Sequence, residues 1–237
     1  MSELNFSRVN VGAVDVSPTM SLDEANRNFN LWIPSDYNAL VELSKHINAD
    51  PEDLLLVLFS ESGLNPKATY WQGDFALAVG LNQITPAAGR AMGISEDERK
   101  SITSYSPSDQ LLTYVKRYFD AIPKPPGNIY VSPGQLYQAN FAPGTLPRGA
   151  GRDTILYTRG KDGQSYDLNK ALDYNSDGYI TVGDLDDHLA YKIAKNKRFQ
   201  AALVQLRNYG SYQSERSFIL PGILLIGIGY SIYKYLG

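Results

Sequence analysis

A glutamate stands at the end of an apolar helix in the stretch FSESGLNPKATYWQG, residues 59–73. The predicted helix begins after Asp50, contains the run Leu54–Phe59 and stops at Gly63, because glycine is a common helix terminator. Glu61 therefore lies in the last turn, where the negative helix end and the apolar surroundings both disfavour its ionised form. A carboxyl group with a raised pKa can donate a proton near neutral pH. The sequence thus predicts that Glu61 is a general acid.

Three sequence blocks set this glutamate in a wider pattern. They are ESGLNPKA at 61–68, GLNQITPAAGRAMGI at 80–94 and LYQANFAPG at 136–144. In order, they resemble the SLT-type lytic transglycosylases of the lysozyme-like superfamily, and the third block is closest to the phage virion-associated type. That block departs from the common form, because Asn140 stands where many members have tyrosine and Tyr137 lies one turn earlier. The resemblance covers roughly residues 35–150.

The resemblance implies a peptidoglycan-cleaving enzyme that acts on the β-1,4 bond between N-acetylmuramic acid and N-acetylglucosamine. Glu61 would protonate the leaving oxygen and then act as base, so that the sugar's own hydroxyl closes a 1,6-anhydro ring. No second carboxylate and no cofactor would be needed for catalysis. The resemblance also implies substrate contacts: Ser62 to orient the carboxylate or the sugar, Gly80 to allow close backbone approach, Gln83 to bind an N-acetyl group, and Tyr137 and Asn140 to form the opposite wall.

Asp74, in the loop between the first two blocks, is a candidate second carboxylate. In a hydrolase it would activate a water molecule for attack on the sugar. Aspartate is also a common turn residue, and the sequence Gln72-Gly73-Asp74 suits a turn. Lysozyme-type hydrolysis therefore remains an alternative. Another alternative is a catalytically idle structural virion protein that keeps a lysozyme-like module.

A second candidate site is the stretch DYNSDGYITVGD, residues 173–184, which fits the EF-hand calcium-loop pattern. Oxygen ligands at alternating positions suit Ca²⁺, and Gly178 takes the sharp-turn position. Aspartate rather than glutamate at the last position shortens that ligand, which favours weaker binding. A single loop indicates a structural ion rather than a calcium sensor. The expected ligands are Asp173, Asn175, Asp177, Tyr179 (through its carbonyl), Thr181 and Asp184.

The predicted fold class is mainly α: a lysozyme-like domain with minor β structure, then an EF-hand-like helix-loop-helix, then a C-terminal transmembrane helix. Helical patterns cover most of the first 150 residues, and short strand candidates lie only in residues 69–81. The predicted divisions are an N-terminal arm at 1–35, the lysozyme-like transglycosylase domain at 36–150, the EF-hand-like region at 151–200, a basic juxtamembrane linker at 201–217 and the transmembrane helix at 218–236.

The transmembrane prediction comes from the C-terminal run FILPGILLIGIGYSIYKYLG, in which Lys234 is the only charged residue. About 20 apolar residues cross a bilayer as a helix, and the basic residues before the run place the N-terminal part in the cytoplasm. The N-terminus has no secretory signal pattern. A cytoplasmic enzyme would face the side that has no peptidoglycan. One resolution is a single C-terminal span in a phage virion membrane, acquired through the host inner membrane, with lipid and capsid proteins as partners besides the peptidoglycan glycan strands. A bacterial envelope enzyme with inverted insertion is the alternative.

Composition limits the other function classes. The chain of 237 residues has no cysteine and two histidines, His46 and His188, so thiolate and histidine metal centres and a Ser-His-Asp triad are disfavoured. A net charge of −3 gives no general case for a nucleic-acid partner.

Overall fold

The computed structural model describes residues 20–29 and 32–210. These residues are mostly helical and include two small sheets. The helices are α1 (Leu22–Asn28), α2 (Pro34–Ile47), α3 (Pro51–Ser62), α4 (Pro86–Ala91), α5 (Glu96–Ser101), α6 (Pro107–Asp109), α7 (Lys116–Ala121), α8 (Pro133–Phe141), α9 (Gly163–Asn169), α10 (Val182–His188) and α11 (Lys197–Tyr209).

The two sheets are antiparallel pairs. Strands β1 (Thr69–Gln72) and β2 (Phe75–Val79) form a hairpin, whereas β3 (Ile155–Thr158) and β4 (Tyr179–Thr181) are distant in sequence. Short π-helical segments join α6 to α7 and continue α10, and short 3-10 turns complete the chain. The π segments are Gln110–Val115 and Leu189–Ile193, and the 3-10 turns are Ile102–Ser104, Pro126–Asn128, Pro143–Arg148 and Lys170–Leu172.

Local sequence explains the bounds of α3, the helix that carries Glu61. The Asp50 carboxylate accepts a hydrogen bond from the Glu52 N–H at 2.9 Å, and Pro51 fills the first helical position, where its missing N–H costs nothing. At the other end Gly63 is left-handed, with φ of 62°. Its N–H donates to the Phe59 carbonyl at 2.8 Å. The predicted start and end of this helix are confirmed.

One hydrophobic core joins most of the helices. Buried residues of α2, α3, α7, α8 and α11 belong to the same cluster, which includes Leu40, Leu58, Phe119, Leu136 and Leu203. Helix α3 is apolar on nearly all sides and lies in the middle of this cluster, with seven buried residues. A second, smaller cluster forms around β3, β4 and α10 and contacts the first at Tyr137.

Helix α11 occupies part of the stretch that we expected as a linker. Its residues Phe199, Leu203 and Leu206 are buried in the main cluster, and Arg207 lies outside in an ion pair with Glu52 at 2.8 Å. The basic residues suggested a linker. The apolar residues, however, repeat at helical spacing, so they form one buried face of a helix. The predicted linker 201–217 is therefore wrong for residues 201–209, and the remainder lies outside the described residues.

Helix α1 lies within the predicted N-terminal arm and packs against α11. The buried Ala25 contacts Ala201 and Val204 in a small apolar cluster, and Asn26 donates to the Tyr209 hydroxyl at 2.8 Å. Residues 22–28 are thus part of the folded unit. Residues 1–19 and 30–31 lie outside the described residues.

The predicted fold class is wrong in ending with a transmembrane helix, and the predicted membrane localisation is corrected with it. Within residues 20–29 and 32–210, no helix combines the length and apolar character needed to cross a membrane. The longest, α2, has 14 residues, whereas a span takes about 20. The stretch 218–236 lies outside the described residues, so a membrane anchor has no support in the structure.

Candidate functional site

Glu61 lies at the surface end of the buried helix α3. The residues from Leu54 to Phe59 are all buried, and Ser60, Glu61 and Ser62 form the partly exposed last turn. Gly63 and Leu64 both have left-handed backbones, with φ of 62° and 61°, which turn the chain sharply away. The carboxyl group is therefore presented on the end of a rigid apolar helix.

Burial controls the protonation of this carboxyl group. It raises the pKa of Glu61 from 4.5 to about 7, because a low-dielectric environment disfavours the charged form. Two tyrosines lie near enough to sense the charge. Burial, and then the negative charge of Glu61, raise the pKa values of Tyr118 and Tyr137. At neutral pH a large fraction of Glu61 is a neutral acid.

Helix α8 forms a wall beside Glu61. Tyr137 lies near Ser60, the residue before Glu61, and the Ser60 side chain partly offsets the rise in the pKa of Tyr137. One turn later, the Asn140 Nδ2 donates to the Asn82 Oδ1 at 2.7 Å, which ties α8 to the turn after β2. The Tyr118 hydroxyl donates to the Ala139 carbonyl at 2.7 Å. The structure thus brings Tyr137 to Glu61 and sets Asn140 next along the same helix.

Gly80 has a structural role that differs from the expected substrate contact. Its φ is 74°, and a Cβ there would lie 2.8 Å from both the Gln110 Oε1 and the Ile102 Cγ2. Gln110, which sequence reasoning missed, is buried and accepts from the Leu81 N–H at 3.0 Å. Its Nε2 also donates to the Pro66 carbonyl at 2.9 Å. Glycine at position 80 is therefore needed for Gln110 to hold the loop after Glu61.

The side-chain donors of Gln83 and Ser62 both bond to backbone carbonyls, and the Gln83 Nε2 reaches Ala68 in the loop after Glu61 at 3.4 Å. Gln83 has a left-handed φ of 46°, and its Nε2 donates to the Gly80 carbonyl at 2.9 Å. The Ser62 hydroxyl donates to the Leu58 carbonyl one turn back at 3.1 Å. The structure thus places Ser62 beside Glu61, but its hydroxyl is directed to the helix rather than to the carboxylate.

Asp74 lies in the turn of the β1–β2 hairpin. Gln72 pairs with Phe75, so Gly73 and Asp74 form a two-residue turn, and Gly73 has the positive φ of 57° that such turns favour. The Asp74 side chain is exposed. Its position accords with the turn interpretation and gives no support to a buried catalytic pair with Glu61.

The same hairpin exposes three aromatic rings that sequence reasoning did not select. Tyr70 is 63% exposed, Trp71 58% and Phe75 47%. Large exposed aromatic residues close together often mark a binding surface. The sequence does carry a signal for this surface, namely the aromatic residues of TYWQGDF between the first two blocks. Aromatic residues are also common in strands, and only strands were predicted there.

Hydrogen bonds from backbone N–H groups to side-chain oxygens fix the turns of the 173–184 loop. The Asp173 Oδ1 accepts from the Asp177 N–H at 3.1 Å, and the Asn175 Oδ1 accepts from the same N–H at 3.0 Å. The Asp177 Oδ1 accepts from the Tyr179 N–H at 2.8 Å. Asp184 closes the loop at the start of α10, where it accepts from the Thr181 N–H at 2.9 Å. All six expected ligands are therefore held in one loop.

Hydrogen-bond donors of the protein already occupy some of the oxygens expected to bind the cation. The buried Asp173 accepts from the Tyr166 hydroxyl and the Gly178 N–H, and the Arg159 guanidinium lies 3.5 Å away. Although burial opposes the charge, these hydrogen bonds hold the pKa of Asp173 below its ordinary value. In the part of the chain that the structure describes, no three His, Cys, Asp or Glu side chains converge as a metal-binding group.

The donor set still suits calcium in kind. Only three of the six expected ligands are carboxylates, and calcium sites regularly use amide, hydroxyl and backbone oxygens for the rest. Arg159 is 62% exposed along its side chain. Its partner Asp173 is only 2% exposed, so a cation bound in the loop would compete with the guanidinium for a buried carboxylate.

No family model, no curated protein and no solved structure matches this chain. The candidate site residues form two centres: the carboxyl group of Glu61, whose pKa is about 7 and which lies near Tyr137, and an oxygen-rich loop at 173–184. The first can transfer a proton to and from a bound ligand, whereas the second can hold a hard cation.

Proposed function

We propose that the protein is a lytic transglycosylase that cleaves peptidoglycan glycan strands, with Glu61 as its catalytic residue. The observation that carries the proposal is the raised pKa of Glu61, about 7, at the end of a rigid helix. A carboxyl group that is half protonated at neutral pH can serve as an acid in one step and as a base in the next. Three sequence blocks resembling the transglycosylases supply the substrate class.

Both steps use the same proton-carrying group. Glu61 gives its proton to the glycosidic oxygen as the bond to the anomeric carbon breaks, and the resulting carboxylate accepts the proton of the sugar's 6-hydroxyl. The hydroxyl oxygen bonds to the anomeric carbon and closes the 1,6-anhydro ring. Atoms and protons balance without water, and Glu61 ends in its starting form.

The position of Asp74 favours this reaction over hydrolysis. A hydrolase with two carboxylates needs the second one at the sugar, within roughly 10 Å of the first. Asp74 is exposed in the turn at the tip of the hairpin. The base of the hairpin is the Thr69–Val79 pair, and the pair next to the turn is Gln72–Phe75. Asp74 has no buried environment that would fix its side chain toward a substrate.

Mass analysis of digested peptidoglycan tests the proposal. We expect wild-type protein to release fragments with 1,6-anhydromuramic ends, each lighter by one water than the hydrolytic product. Glu61→Gln should release none, and Glu42→Gln, a matched change at an exposed glutamate on α2, should behave as wild type. Reducing-end products from wild type would contradict the transglycosylase, and the absence of cleavage by any variant would favour the idle structural module.

We further propose that the 173–184 loop holds a structural Ca²⁺ ion. The oxygens of Asp173, Asn175, Asp177, Thr181 and Asp184 and the Tyr179 carbonyl would bind it, and the ion would supply charge that Arg159 now supplies in part. The proposal is supported by the succession of turn hydrogen bonds in the loop, and it has no part in the glycosidic chemistry.

A further inference from the structure

Helix α10 packs directly against the backbone of α8, the helix that carries Tyr137. A Cβ at Gly134 would lie 2.5 Å from the Asp186 Oδ1 and 2.6 Å from the Val182 carbonyl, so only glycine permits this approach. The Gly134 N–H donates to the Asp186 Oδ1 at 2.6 Å. The first turn of α8 is thereby fixed to α10, and the region predicted as a separate calcium-binding unit holds one wall of the Glu61 site.

The contact continues to Tyr137 itself. The rings of Tyr137 and His188 are stacked, with centroids 6.3 Å apart and an interplanar angle of 27°. Tyr137 packs against both hydrophobic clusters, and it lies close enough to Glu61 for that charge to raise its pKa. His188, Tyr137 and Glu61 therefore form one series of neighbours that crosses from α10 through α8 to α3.

The imidazole in this series has few polar interactions. Its Nδ1 is buried and has no hydrogen-bond partner among the described residues. Burial, and then the charge of Lys192, lower the pKa of His188. Tyr137 on α8 faces the ring, and Glu61 on α3 lies beyond Tyr137. Helix α10 itself carries Asp184, Asp186 and Asp187, and Lys192 lies in the π-helical segment after it. The ring is thus neutral when Glu61 works, and its contribution is shape and exclusion of water.

We propose that His188 is a positioning residue for Glu61 that acts through Tyr137. The neutral imidazole holds the Tyr137 ring against the end of α3 and keeps water from the Glu61 carboxyl group. Loss of the ring would let Tyr137 move and water enter, and the pKa of Glu61 would fall toward its ordinary value. This inference rests on the proposed function, because its rate measurements need an enzyme that cleaves peptidoglycan.

The experiment compares three substitutions at position 188. His188→Ala should lower the pKa of Glu61 by about one unit, which moves the alkaline limb of kcat one pH unit lower and reduces kcat about fivefold at pH 7. The KM should change little. His188→Phe retains a flat ring and should restore the wild-type limb. His188→Leu fills the volume without a flat ring and should behave like His188→Ala, which keeps the test valid should alanine prevent folding.

The other histidine provides the matched control. His46 is paired with Asp120 at 2.7 Å on the exposed face of α2, so His46→Ala should leave the alkaline limb in place. A folded His188→Ala or His188→Leu protein with a wild-type limb would overturn the inference, even if its Tm were lower. NMR titration of the Glu61 carboxyl carbon reports the same shift without substrate. It therefore separates failure of this inference from failure of the proposed enzyme activity.

Discussion

Glu61 and Asp173 are acidic residues in opposite electrostatic settings. Glu61 lies in the last turn of an apolar helix near Tyr118 and Tyr137, and burial raises its pKa to about 7. Asp173 is buried as well, but donors from Tyr166, Gly178 and Asp177 hold its pKa below the ordinary value. Burial alone therefore does not set the charge, and the number of donors aimed at the oxygens does. The first setting suits proton transfer and the second suits a cation.

The largest expected effect is on catalysis. Glu61→Gln removes the transferable proton and keeps the shape, so cleavage of peptidoglycan should fall by about 10²–10⁴, the usual contribution of general acid–base catalysis. Asp173→Asn, at the other centre, should reduce it far less. Rates of anhydro-product release measure both changes. Equal losses of the cleavage rate from the two substitutions would contradict the claim that only the Glu61 centre takes part in catalysis.

The same substitution should stabilise the fold. A carboxyl group whose pKa is raised from 4.5 in the unfolded chain to about 7 lowers stability as pH rises through that window. Glu61→Gln should therefore raise the free energy of unfolding by up to about 3 kcal/mol at pH 9 and by nearly nothing at pH 4. Urea unfolding at the two pH values checks this, with Glu42→Gln as the control. A gain that is independent of pH would show that ionisation is not its cause.

Asp173 should respond to pH with the opposite sign. Because its folded pKa lies below the ordinary value of 3.8, its stabilising contribution is present above that value and is lost as pH falls through the folded pKa. Asp173→Asn should therefore destabilise the protein at pH 7 and much less at pH 2. Urea unfolding of the metal-free protein measures the difference. A larger loss at pH 2 than at pH 7 would contradict this account of the loop.

Calcium should add to the stability of the loop. At a concentration 100 times Kd, the ion contributes about 2.7 kcal/mol, measured as a rise in Tm over the protein in EDTA. Arg159→Ala removes the competing guanidinium and should tighten binding, whereas Asp173→Asn should abolish the rise. If wild type and Arg159→Ala are both unaffected by calcium, the loop is held by protein donors alone.

The smallest expected effect concerns the exposed hairpin. Trp71→Ala should weaken glycan binding by roughly 0.5–1.5 kcal/mol, the contribution of one aromatic contact, and raise KM about two- to tenfold without changing kcat. Val131→Ala, at another exposed apolar residue, is the control. A fall in kcat with unchanged KM would place Trp71 in the chemistry rather than in binding.

The sequence was informative where local rules decide the structure. Asp50, Pro51 and Gly63 set the ends of α3, and the position of Glu61 followed from them. Gln110 and His188 could not be found in this way, because each contacts residues far along the chain, Pro66 and Tyr137 respectively. The basic residues near α11 led to the wrong prediction of a linker, because the apolar face formed by Phe199 and its neighbours decides the structure there.

The most direct test is an NMR titration of the Glu61 side-chain carboxyl carbon in the folded protein, with the resonance assigned by its absence in Glu61→Gln. The account predicts a midpoint near pH 7 and an alkaline limb of peptidoglycan cleavage at the same pH. A midpoint near 4.5 would leave Glu61 ionised at neutral pH and would contradict its role as the proton donor.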